Sequence, residues 1–169
     1  GGSGGSGDGD TGNGGGNGGA AVWLEAETIN IAGTIRMRGQ NGFNWLNDSG
    51  GGGAGGGILI QGSTVNVTGP LNVRGGNGAS FDDGGGGGGG RIKIFFRNNA
   101  GITPTVTIAG GSAGGNTCEN ANPGAAGTYT TTDTDVDGDQ ISATVWGGTD
   151  CNDNNAAINP GANELCNGF

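Results

Sequence analysis

Residues 22–42 are written twice in this chain, and the repetition leaves few folds open. They read VWLEAETINIAGTIRMRGQNG, and thirty-six residues later positions 58–78 read ILIQGSTVNVTGPLNVRGGNG. Val22, Leu24, Ile29, Ile31, Ile35 and Met37 fall on Ile58, Ile60, Val65, Val67, Leu71 and Val73. Gly33, Gly39, Asn41 and Gly42 fall on Gly69, Gly75, Asn77 and Gly78. A fixed period of this size marks a repeat architecture. Apolar residues alternate with polar ones, so each copy holds strands with one buried face. Glycines close three short strands, near 22–27, 28–32 and 34–38. A coil of three strands that returns to its start and climbs one strand spacing is a parallel β-solenoid. The expected fold is therefore all-β: a glycine-rich parallel solenoid with about 36 residues per coil over residues 1–132.

A third coil follows at 91–111. Ile92, Ile94 and Phe96 continue the first buried column, and Val106 and Ile108 continue the columns of Ile35 and Met37. Its middle, NNAGITP, is poorer in apolar residues, and Pro104 suits an edge or a bend. Residues 127–132 (GTYTTT) are expected to form one last strand. The outward positions, among them Trp23, Glu25, Glu27, Arg36, Arg38, Asn66, Arg74 and Lys93, read as a solvated face. Trp23 over Leu59 is the exception, an outward apolar pair that points to a covered surface.

Glycine supplies 46 of the 169 residues, far above the usual share of about 7%. Composition alone fits a disordered linker, but disorder does not require aligned Ile, Val and Leu. Collagen is excluded because glycine does not fall at every third position. Three glycine tracts, at 1–19, 40–57 and 75–90, each precede a strand. A glycine chain in a polyproline-II-like helix has three residues per turn and no side chains, so such tracts can stack. Structureless loops of this length are uncommon in compact domains, which favours ordered tracts over plain loops. Trp45 and Phe81, also thirty-six apart, are expected to stack on successive coils.

The formal net charge is −9, and all six basic residues lie between Arg36 and Arg97. Residues 133–169 hold seven acids and no base, which sets them apart as a second unit. A base-free acidic tail disfavours nucleic acid and anionic membranes, and suits a hard cation such as calcium. No apolar run approaches 18 residues, so membrane insertion is not expected. The chain opens inside a glycine run without an initiator Met, as a processed or partial product of a longer polypeptide would.

The most chemically specific stretch is Asp133-Thr-Asp135-Val-Asp137-Gly138-Asp139. Carboxylates at alternate positions with a sixth-place glycine match the first half of a calcium loop. The twelfth position is Thr144 rather than Glu, so the closing ligands must come from Asp150, Asn152, Asp153 or Asn154. The expected ligand set is Asp133, Asp135, Asp137, Asp139, Asp150 and Asp153, with calcium as the ion.

The end of the chain, GGTDCNDNNAAINPGANELCNGF, resembles the Asp- and Cys-rich metal-binding repeat of bacterial surface proteins. Asp150, Cys151, Asn152, Asp153, Asn159, Pro160, Gly161, Glu164, Cys166, Asn167 and Gly168 carry the likeness, which extends over 133–169. That family is sometimes linked to copper. This chain has no histidine, so its donors fit a hard cation better. The resemblance implies a Cys151–Cys166 disulfide and hence an oxidising, extracellular setting. Cys118 is left without an assigned partner. The upstream part is similar to the glycine-rich β-solenoids of bacterial secreted proteins, a likeness of architecture only.

Together these features lead to a structural role, as a subunit of an extracellular bacterial fibre or surface adhesin. Coils would stack head to tail on further copies of the chain, stabilised by calcium, because a short solenoid leaves a strand edge open at each end. A glycan- or ice-binding surface module is the alternative, and it brings in cell-surface glycans as partners; the regular Thr ladder of an ice-binding face is absent. Catalysis is not expected, since the acids gather in the tail away from the bases and no histidine supplies a general base.

Overall fold

The computed structural model of the chain describes residues 14–45, 48–80, 84–115 and 121–162. Its elements are β1 (Ala21–Ile31), β2 (Ile35–Arg36), β3 (Asn44–Trp45), β4 (Asp48–Ser49), β5 (Gly57–Val67), β6 (Leu71–Asn72), β7 (Arg91–Ile102), β8 (Val106–Thr107) and β9 (Thr128–Asp133), followed by a 3-10 turn at Thr144–Trp146. The protein is all-β. The order β1-β5-β7-β9 forms one parallel sheet and β2-β6-β8 a second, while β3 and β4 pair antiparallel. No helix among the described residues is long and apolar enough to cross a membrane.

The internal repeat sets the register. Val22 pairs with Ile58, Leu24 with Ile60, Ile29 with Val65 and Ile35 with Leu71, each thirty-six residues apart. On the next strand Ile58 meets Ile92, Ile60 meets Ile94 and Leu71 meets Val106. Like residues thus stand over like residues, and these columns form the core. Ile60, Val65, Val67, Leu71, Val73 and Ile92 are fully buried, each contributing about 1.5–3 kcal/mol relative to exposure. Val22 and Leu24, on edge strand β1, are half-buried.

The strands differ from expectation: the third, expected at 34–38, is only Ile35–Arg36, and β3 and β4 form a short antiparallel pair inside the 40–57 tract. Residues 22–27 and 28–32 are not two strands but parts of the single strand β1. The inward side chains switch from even to odd numbers between Leu24 and Ile29, which is the change that reads as a break in the sequence. Pairing with β5 lapses at Glu27 and resumes at Thr28 while the strand continues. Gly62 pairs with Ala26 at that switch, where a Cβ would press on the Ala26 carbonyl and the Val65 and Ile29 side chains.

β7 carries its own irregularity. Val65 pairs with Asn99 but Asn66 with Gly101, so one extra residue bulges out of β7. Gly101 takes φ 140°, and the Asn99 side chain accepts the Gly101 and Ile102 amides at 3.0 and 2.9 Å. Asn99, which looks polar and unhelpful in NNAGITP, thus stabilises the bulge. The last strand, β9, covers nearly the residues expected of it and closes the sheet on β7.

The glycine tracts bond to one another. Gly16, Gly52 and Gly86 donate to Gly51, Gly85 and Asn122, running from one tract to the next. Gly50, Gly53 and Gly56 donate instead to Phe43, Gln40 and Met37 on an opposing segment, and Gly76 and Gly87 continue that cross-connection. Donors to a given neighbour recur every third residue. Positive φ occurs at Gly101, Gly115, Gly138 and Gly147, none of them in 50–57 or 84–90. These tract glycines therefore serve close approach rather than unusual backbone angles. A Cβ at Gly53 would strike the Asn17 carbonyl, and one at Gly87 the Gly53 carbonyl. At Gly88 it would meet only Ala125 O, at 3.9 Å. Asparagines tie the turns together as well: Asn41 Oδ1 accepts the Asn77 amide at 2.9 Å, and Asn77 Oδ1 accepts the Ser112 amide at 3.0 Å. Phe81, and with it the expected Trp45–Phe81 stack, lies outside the described residues.

Candidate metal centre

The acidic segment leaves β9 and folds back over the sheet. Thr134 fixes the departure: its amide and its hydroxyl both donate to the Phe96 carbonyl, at 2.8 and 3.1 Å. Arg97 on β7 donates to the Gln140 carbonyl at 2.8 Å, and the Phe95 and Trp146 rings meet with centroids 5.4 Å apart. A parallel bridge between Ala143 and Asp150 brings the two acidic stretches together. The Thr144 amide donates to the Asp150 carbonyl at 2.9 Å, and the Asp150 amide to the Ser142 carbonyl at 3.2 Å. Gly148 lies against Ser142 so closely that any Cβ would collide with its carbonyl.

Within the loop the carboxylates order the backbone, Asp135 with both oxygens and Asp137, Asp139 and Asp150 with one each. Asp135, 4% exposed, accepts the Gly138 amide at 2.9 Å and the Gln140 amide at 2.8 Å. Asp137 accepts the Asp139 amide, Asp139 the Ile141 amide, and Asp150 the Asn152 amide. Asp153 accepts the Val136 amide at 3.0 Å, holding the two stretches in register. Gly138 and Gln140 make the sharp turn with φ of 78° and 71°. These are Asx-type turns, in which a short acidic side chain stands in for backbone.

Among the described residues two groups of three carboxylates result. Ligand oxygens of Asp135, Asp137 and Asp153 lie within 4.8 Å of one another, as do those of Asp137, Asp139 and Asp150. Asp137 belongs to both. The second group has a further property: the Oδ2 atoms of Asp137, Asp139 and Asp150 are buried and lack any hydrogen-bond partner. Asp150 is 1% exposed. Each pair of like charges at that separation repels by about 3 kcal/mol or more, taking an effective dielectric near 20. Burial also pushes the Asp135 carboxyl above its ordinary range, with Asp139 and Asp137 adding repulsion and the two amide bonds opposing it. Such a concentration of oxygens is costly alone and suited to holding a metal ion.

Of the six residues singled out from the sequence, five enter these groups. Asp133 does not: it is exposed, and its Oδ1 accepts the Asp135 amide at 3.1 Å. Asn152 and Asn154, the other candidates for closing the loop, donate their backbone amides to Asp150 Oδ1 and to the Asn152 carbonyl. Cys151 is exposed, whereas Cys118, Glu164 and Cys166 lie outside the described residues, so the implied Cys151–Cys166 bridge does too.

The sequence reading missed the space beside this centre. A groove of about 620 Å³ runs between the outer face of the sheet and the returning tail, lined by Glu25, Glu27, Gln61, Phe95, Arg97 and Trp146 among others. The signal in the sequence was weak, because Glu25 and Glu27 read as part of a solvated face and nothing local ties Trp146 to Phe95. Trp23 on the same face is 65% exposed rather than covered.

Comparison with curated proteins and with solved structures gives no significant match. A family model described as a putative metal-binding motif, Cu-binding MopE, matches residues 150–169, the part of the chain that begins at Asp150 and includes Asp153.

Proposed function

We propose that this chain is a structural module of an extracellular bacterial surface protein or fibre, a glycine-rich β-solenoid whose tail is locked by calcium. The observation that carries the cation is the convergence of the Asp137, Asp139 and Asp150 carboxylates, each of which also has a buried, unpartnered Oδ2. The donors are all oxygen, which favours calcium over copper, and Asp135 and Asp153 extend the set around Asp137. In this reading the ion joins the loop after β9 to the Asp150 segment and fixes the tail against the sheet. Successive coils of about 36 residues supply the register, and their glycine tracts run as polyproline-II-like helices, as the three-residue recurrence of donors supports. The motif match at the chain's end agrees with a surface-protein setting.

The same geometry bears on self-assembly. The later coils carry Gly53, Gly56, Gly76 and Gly111 where they face the coil before them, because a Cβ there would strike the preceding backbone. The corresponding residues of the first coil are Asn17, Ala20 and Gln40. A second copy stacking head to tail on β1 in the chain's own register would meet these side chains. We therefore rank the homopolymer below a module carried within a larger surface assembly.

Isothermal titration of the whole, oxidised protein with calcium tests the cation reading. Saturable binding that is lost in Asp150→Asn is the expected result; absence of binding, or unchanged binding in the variant, overturns it.

A further inference from the structure

We infer that the groove between the sheet and the tail is a binding site for a neutral oligosaccharide. Its floor is a row across three paired strands, Glu25, Gln61 and Phe95, which are direct register partners. With strands about 4.8 Å apart, the row sets a carboxylate, an amide and an aromatic ring side by side over about 10 Å. Glu27 and Arg97 flank it on the same face, and Trp146, Ser142 and Thr134 of the tail form the opposite wall.

The chemistry of the lining selects the ligand. Phe95 and Trp146 meet at 53°, making an aromatic corner, and Trp146 remains 45% exposed. An exposed ring beside planar hydrogen-bonding groups suits a molecule with one apolar face and a rim of hydroxyls. Glu25 and Glu27 accept from hydroxyls, Gln61 both donates and accepts, and Arg97 donates. Arg97 is already held by the Gln140 carbonyl, so its guanidinium is placed before any ligand arrives. Two carboxylates against one guanidinium repel nucleic acid and acidic sugars alike. The polar floor does not suit a lipid chain. The next row out, Trp23, Leu59 and Lys93, continues the same face, with Trp23 exposed at its end. A longer chain of sugars would therefore bind better than a single unit.

The floor belongs to the sheet and the wall to the tail. Only the wall rests on the calcium reading above, and the test separates the two. The whole protein is titrated with neutral hexasaccharides of β-1,4-glucose, β-1,4-mannose and β-1,4-N-acetylglucosamine, and with hexagalacturonate, following tryptophan fluorescence and heat, in calcium and in chelator. We expect saturable binding of at least one neutral probe in calcium and weaker or absent binding of the acidic one. Trp146→Ala should weaken it at least about tenfold, by loss of one aromatic face. Gln61→Ala, at an exposed position outside the core, should weaken it several-fold. No saturable binding of any neutral probe in calcium overturns the site, as does undiminished binding in both variants or preference for hexagalacturonate. Binding that persists in chelator upholds the groove and removes only the dependence of its wall on calcium.

Discussion

Asp137 and Asp150 are thirteen residues apart in the chain, yet their carboxylate oxygens lie within 4.8 Å, each with a buried Oδ2 that nothing in the protein satisfies. Asp150→Asn therefore has opposite effects in two conditions. In chelator the amide relieves repulsion and can donate to Asp137 or Asp139, so the tail should become more stable, by about 1–3 kcal/mol. In calcium the variant should be less stable than the parent, because a ligand is gone. Thermal unfolding of both proteins in both conditions checks this; destabilisation of equal size in each would show that Asp150 acts through its fold contacts alone.

Leu24, Ile60 and Ile94 stand in one column, with Ile60 fully buried. Ile60→Asp should prevent folding, since a buried unpaired charge costs several kcal/mol at least and no base lies in that column. Circular dichroism and urea unfolding report it directly. A variant as stable as the parent would mean that Ile60 is not in the core.

The glycine tracts predict a pattern with a period of three. Gly87→Ala places a methyl group against the Gly53 carbonyl and should cost about 1–3 kcal/mol. Gly88→Ala points its methyl into ordinary contact range of Ala125 and should fall within about 0.5 kcal/mol of the parent. Urea midpoints of the two single variants decide the matter, and equal midpoints would show that neighbouring tracts do not restrain each other.

If Asn17, Ala20 and Gln40 end the stack, removing their side chains should reopen it. The parent, with calcium and without reductant, should sediment as a monomer at high concentration. Asn17→Gly combined with Ala20→Gly and Gln40→Gly should self-associate, because glycine at all three sites lets another copy approach the β1 edge. A parent that forms filaments under these conditions would restore head-to-tail assembly as the leading reading.

The amino-acid sequence determined the register and the core of this protein by itself. A repeat of thirty-six with alternating apolar residues can bury its Ile, Leu and Val only by setting Leu24 over Ile60 and Ile29 over Val65, so the pairing was legible before any coordinate. The acidic loop was legible for the same kind of reason: Asp135, Asp137 and Asp139 are local, and the turn at Gly138 brings neighbours together whatever surrounds them. Tertiary structure alone decided the rest. Which acids converge depends on the Ala143–Asp150 bridge, a non-local pairing that draws Asp150 inward and leaves Asp133 in solvent. Within a run of identical glycines no sequence pattern distinguishes Gly87 from Gly88; only the neighbouring carbonyls do. The groove exists because Thr134 and Arg97 turn the tail back over β7, bringing Trp146 to Phe95 from fifty-one residues away. Local spacing fixes what alternation and short turns can reach, and contacts between distant segments are set by the packing of the whole.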